Sequence, residues 1–158
     1  MKNIIKFFLI RTYRLDIKLS LYIRMKKDSN KLNKWIIRFL YESLSTKYGI
    51  TIGRNTIIGK NLFLPHKQNI VIGDRCKIGD NCTIYQDVTL GQNKGIYPIV
   101  KDNVIIYAGA KIIGNVTIEN NAIIGANSVV TKDVPENAIV GGVPAKILGY
   151  RGDKNDFY

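Results

Sequence analysis

The sequence predicts a mainly β protein: a parallel β-helix of six-residue repeats preceded by an α-helical segment. Two observations carry this prediction. An aliphatic residue returns every six positions across most of residues 51–135, whereas residues 1–48 show apolar residues at helical spacing. A third is bulk: 46% of the 158 residues are hydrophobic, enough for one continuous core.

The repeat comes in three phases. The first is Ile52, Ile58 and Leu64; the second is Ile72, Ile78, Ile84 and Leu90; the third is Val100, Ile106, Ile112, Ile118, Ile124 and Val130. A period of six fits neither an amphipathic helix nor a hairpin ladder, but it fits a short strand plus a turn. Gly follows six of these positions, and four residues on stands a mostly small or β-branched residue such as Thr56, Cys76, Cys82, Ala110, Ala122 or Ser128. The aliphatic residue points inward, and the small one fits inside a corner. Gly and Asn supply turn conformations that bulky residues resist. Three faces close one triangular coil, and thirteen faces make roughly four coils, about 20 Å of prism at strand spacing.

The expected organisation is a basic helical segment over residues 1–48, a β-helix over 49–135 with a loop at 91–99, and a tail over 136–158. In the first segment, Ile4, Ile5, Phe8, Leu9 and Tyr13 have helical spacing, as do Leu32, Trp35, Ile36, Phe39 and Leu40. Lys26 to Asn30 is the expected turn between the two helices. Val134-Pro135 is expected to stop the repeat.

Charge is uneven. The chain carries a formal +12, of which residues 1–48 hold +9, with 12 of the 24 Lys and Arg. A basic end beside a near-neutral body suggests peripheral contact with an anionic membrane surface, or a solvated helix face. The run Phe7-Phe8-Leu9-Ile10 is too short to span a bilayer or to serve as a signal peptide, so the expected compartment is the cytoplasm, including the inner membrane surface. The basic stretch interleaves aromatics only at helical core spacing, so nucleic acid is not expected as a partner. Cys76 and Cys82 lack a CxxC spacing and a His cluster, so they read as core thiols, and no metal is expected. The sequons at Asn81 and Asn115 are discounted, because nothing marks the chain as secreted.

Two interruptions of the period carry the chemistry. A two-residue slip between Leu64 and Ile72 contains His66, the only histidine, beside Lys67. A four-residue insertion between Leu90 and Val100 makes a loop with two glycines and a proline. A solenoid needs no such slip in order to stack. Histidine is the residue type that exchanges a proton near neutral pH, so His66 is the candidate general base.

Tyr48–Gly53 through Leu64-Pro65-His66, Asn69–Gly73, Asp87–Gly91, Tyr107–Asn115, Ile124–Val130 and Gly142–Ile147 form an ordered set of blocks. Together they are similar to the serine acetyltransferase branch of the hexapeptide-repeat acyltransferase superfamily. The resemblance implies a left-handed winding, a homotrimer, acetyl-CoA as co-substrate and His66 as the base. It further implies that Gly91, Gln92, Ala108 and Ala126 flank the thioester and pantetheine arm, with Lys132 and Lys146 meeting the nucleotide phosphates. Where the family carries acids near the base, this chain has Thr51 and Pro65; where it carries Arg-His in the loop, this chain has Ile96-Tyr97. Tyr97, Lys67 and Asp87 are the acceptor-site candidates. The expected reaction is therefore O-acetylation of a sugar or surface-polysaccharide hydroxyl, such as a capsule component, with serine O-acetylation as the alternative. A non-catalytic scaffold is the reading from a different class. A γ-type carbonic anhydrase shares the solenoid but needs three histidines per site, and this chain has one.

Overall fold

The computed structural model describes residues 31–152. The expected helix around residues 4–13, the turn at 26–30 and residues 153–158 lie outside them. The chain divides into two compact units after Ile50.

In the first unit, helix α1 spans Lys31–Tyr48. Leu40 and Leu44, one turn apart, are its buried pair. Trp35, expected on the same apolar stripe, is 61% exposed. The inward line runs from half-buried Ile36 through buried Leu40 and Leu44, and residue 35 sits about 100° around the helix from it. Arg38 and Glu42 form an exposed i,i+4 ion pair at 3.0 Å. The helix ends at Gly49, whose φ of 65° is left-handed and whose N–H donates to the Ser45 carbonyl at 3.0 Å.

The second unit is a parallel β-helix with three faces. The first face holds β1 (Thr51–Ile52), β3 (Val71–Ile72), β6 (Thr89–Gly91), β9 (Lys111–Ile113) and β12 (Val129–Val130). The second holds β2 (Ile57–Ile58), β4 (Lys77–Ile78), β7 (Ile99–Val100) and β10 (Thr117–Ile118). The third holds β5 (Thr83–Ile84), β8 (Ile105–Ile106), β11 (Ile123–Ile124) and β13 (Ala138–Gly141), closed by the antiparallel β14 (Lys146–Tyr150). Each strand pairs with its equivalent one coil away. The register sets like on like: Ile52 on Ile72, Ile78 on Val100, Ile84 on Ile106 and Ile106 on Ile124. Every aliphatic residue of the six-residue repeat is buried.

The three edges are corner columns. On the edge between second and third faces, Asn61, Asn81, Asn103, Asn121 and Asn137 all have φ between 56° and 60°. Asn tolerates this conformation, and its side chain also bonds along the column: Asn61 Nδ2 donates to Asn81 Oδ1 at 2.9 Å, and Asn81 Nδ2 to Asn103 Oδ1 at 3.3 Å. Beside them, the Asp102 carboxylate accepts the Asp80 N–H at 2.7 Å, and a Cβ on Gly79 would lie 2.2 Å from that same oxygen. The glycine after the inward aliphatic therefore leaves room for the next coil's carboxylate.

Cys76 and Cys82 are buried, free corner residues. Burial pushes the Cys76 thiol from the usual 9.0 to about 11 and raises that of Cys82. The stacking runs past Pro135, where the sequence reading ended it. Val134 bridges Ile118 on the second face, and Ile139 and Val140 pair with Ile123 and Ile124 on the third. A proline is tolerated there because it falls in a corner, where no ladder N–H is needed.

Candidate functional site

The two breaks in the period lie on different edges. Residues 65–70, with His66, turn between the third and first faces. Loop 91–99 turns between the first and second. Face one separates them within a single chain.

On the His66 edge, each coil contributes a short turn, and the turns stack through backbone bonds. Asp87 N–H donates to Gln68 O at 3.1 Å, Gly109 N–H to Gln86 O at 3.0 Å, and Asn127 N–H to Ala108 O at 2.8 Å. Asn69, Asp87, Gly109 and Asn127 take the left-handed position of successive turns. His66 is exposed, between half-buried Pro65 and half-buried Lys67. The Asp87 carboxylate accepts the Asn69 amide N–H at 3.1 Å, and Lys111 Nζ donates to the Asp87 carbonyl and, at 3.2 Å, to Thr89 Oγ1. Farther along the same edge stand half-buried Ala108, exposed Ala126 and exposed Gly142. Lys146 pairs with Gly141 at the end of this edge and is exposed.

Three residues that the sequence reading passed over stand out here. The Tyr85 ring centroid is 6.0 Å from that of His66, tilted by 52°, and 5.0 Å from that of Tyr107, stacked at 25°. Gln86, beside Tyr85, has an Oε1 that is buried without a protein partner. A sequence signal for the tyrosines existed. They occupy the position after an inward aliphatic where six other repeats have glycine.

Loop 91–99 is held in glycine notches on the other edge. The Tyr97 ring lies over Gly73, where a Cβ would meet it at 2.7 Å, and Asn93 lies over Gly114, where a Cβ would meet its own Cβ at 2.9 Å. Gln92 Oε1 accepts the Gly95 N–H at 2.7 Å and closes the loop tip. Gly91 ends β6, with Ile113 Cδ1 2.8 Å from where its Cβ would be. Lys132 lies on this edge too, exposed in the last coil. The fold therefore gathers His66, Lys67, Asp87, Ala108, Ala126 and Lys146 along one edge, and Gly91, Gln92, Tyr97 and Lys132 along another. Among the described residues, no group of three or more His, Cys, Asp or Glu is arranged to hold a metal ion, and no helix is long and apolar enough to cross a membrane.

Known proteins share this architecture. The model "Bacterial transferase hexapeptide (six repeats)" matches residues 97–132, and "Hexapeptide repeat of succinyl-transferase" matches residues 69–96. A serine acetyltransferase of Staphylococcus xylosus is 44% identical over 62 residues, covering 39% of this chain and 29% of that protein. A serine acetyltransferase solved in complex with CoA superposes with a TM-score of 0.75 at 35% identity, over 87% of this chain and 58% of that one. The serine acetyltransferase of Neisseria gonorrhoeae in complex with serine gives 0.73 at 36% identity, over 82% of this chain and 54% of that one. The chain thus spans little more than half the length of the structures it matches, and less of the curated relatives. Repeat, register and these likenesses together define a left-handed β-helix protein of the hexapeptide-repeat acyltransferase superfamily. Within that superfamily, the relatives named above to which the chain is similar are serine acetyltransferases.

Proposed function

We propose that this protein is an acetyl-CoA-dependent O-acetyltransferase of the serine acetyltransferase type, with His66 as general base. The observation that carries the reading is the setting of the lone histidine: exposed at the widened corner of the prism, on the edge where small residues leave backbone bare. In the proposed step, the imidazole takes the acceptor's hydroxyl proton as its oxygen attacks the thioester carbonyl. The O–C bond forms, the C–S bond breaks, and the proton passes to the departing thiolate. For the donor, Ala108, Ala126 and Gly142 leave room for an extended pantetheine arm. Gln86 Oε1, buried and unpartnered on the same edge, is an acceptor suited to a pantetheine amide N–H. Lys146 suits a nucleotide phosphate as a point charge.

The relatives support a small hydroxyl acceptor, and L-serine ahead of a sugar. The saccharide reading is the second one. It rests on Pro65, which stands where the family carries an acid near the base, and on Ile96-Tyr97, which puts no arginine for a serine carboxylate where the family carries one. The relatives named above lend no support to a polysaccharide acceptor or a membrane contact. The latter rests only on the +9 charge of residues 1–48.

Because the two breaks occupy different edges, a homotrimer follows as part of the proposal. The His66 edge of one copy would face the loop 91–99 edge of the next, completing the acceptor site with Tyr97 and Gln92. Acetyl-CoA turnover measured against L-serine and a panel of sugars, with His66→Ala as the control, tests this reading. The variant should lose roughly 10²–10⁴-fold in rate. Serine-independent turnover on sugars would reverse the choice of acceptor, turnover unaffected by His66→Ala would remove the base, and a monomer in sedimentation would remove the shared site.

A further inference from the structure

We propose that Tyr85, backed by Tyr107, is the positioning residue for His66: an aromatic stack replaces the acidic partner that would otherwise orient the imidazole. This rests on His66 being the base and goes beyond it by naming what holds it.

An exposed imidazole on a corner turn has free rotation about two side-chain bonds unless something fixes it. Among the described residues, His66 has no hydrogen bond or ion pair. The residue before it is Pro65, whose side chain can neither donate nor accept. Among the described residues its only ring neighbour is Tyr85, at 6.0 Å and tilted by 52°, a geometry within the range aromatic pairs prefer. Tyr85 is itself constrained. It follows the fully buried Ile84, and Tyr107 follows the fully buried Ile106, which pairs with Ile84 in register. The strand spacing of about 4.8 Å therefore sets the two rings one coil apart, and they stack at 5.0 Å. Three rings from three successive coils form a column along the prism edge, with His66 at its end. In the next coil the column stops, because Gly125 holds the equivalent position after Ile124.

The test uses the full chain with Tyr85→Leu, Tyr85→Phe and Tyr107→Leu. Turnover of acetyl-CoA gives kcat and KM, and the imidazole proton lines of the single histidine are read by NMR. Tyr85→Leu should lower kcat roughly three- to tenfold, the kinetic equivalent of one aromatic pair, with KM for acetyl-CoA unchanged. It should also shift both imidazole lines as the ring current is lost. Tyr85→Phe, which keeps the ring, should restore both, and Tyr107→Leu should give an intermediate loss. Unchanged imidazole lines in Tyr85→Leu would overturn the proposal, whatever the activity. An equal kcat loss in Tyr85→Phe would also overturn it, by assigning the effect to the hydroxyl. Full turnover in His66→Ala would instead refute the base itself, a result separate from either.

Discussion

Gly73→Ala tests whether loop 91–99 is held by close contact with the prism or merely tethered at its ends. Gly73 does not have a positive φ, so alanine brings no backbone strain there. What it brings is a methyl group 2.7 and 2.8 Å from the Tyr97 ring edge and 2.9 Å from the Leu90 carbonyl oxygen. The ring can swing away, but the carbonyl belongs to the ladder and accepts the Gly73 N–H at 2.8 Å. Overpacking of this kind costs about 1–3 kcal/mol. Part of that cost belongs to the ring, so Gly73→Ala combined with Tyr97→Ala should destabilise by about 1 kcal/mol less than the sum of the single changes. Urea unfolding of the four proteins measures the cycle. Tryptic cleavage after the exposed Lys94 reports the loop directly and should quicken in Gly73→Ala. A change in stability below about 0.5 kcal/mol with unaltered cleavage at Lys94 would refute the notch, because a surface glycine doing nothing gives that result.

Ile106→Ala removes a fully buried side chain stacked between Ile84 and Ile124, and should destabilise the β-helix by about 2–5 kcal/mol in urea unfolding. Asn81→Ala removes two side-chain bonds of the corner column and puts alanine at φ 57°; a loss of about 1–3 kcal/mol is expected, and Asn81→Gly should recover the backbone part. Alkaline titration should reveal the buried thiols. The folded Cys76 deprotonates near 11 rather than 9.0, so the unfolded chain binds fewer protons between those values and stability must fall as pH rises through that window. Below 9.0 the contribution is fully present, and Cys76→Ala or Cys76→Val should flatten the alkaline limb. For the same reason, both thiols should stay silent towards a thiol reagent at neutral pH until the protein unfolds.

Much of the core was readable residue by residue, because a six-residue period with one inward aliphatic leaves no other way to bury Ile52, Ile72, Leu90 and their equivalents. His66 and the loop were readable as departures from that period. The end of the stack was misjudged at Pro135 because a proline in a corner looks the same in sequence as one that terminates a strand. Only the register reveals that Ile139 and Val140 rejoin the third face. Trp35 was misplaced for a related reason: helical spacing defines a stripe, but not which edge of it is buried.

The sequence by itself determined the architecture, since the repeat is local and every coil sees the same neighbours. It also marked the histidine, by making it the exception in a regular pattern. What only tertiary structure decided is which residues share an edge. Gln92 and His66 are both break residues, yet a three-faced coil sends them to different corners. Tyr85 and Tyr107, 22 positions apart, meet because one coil with its insertion separates them. Contacts between coils depend on the exact count of residues per turn, and the insertion at 91–99 changes that count without leaving any trace in the residues it brings together.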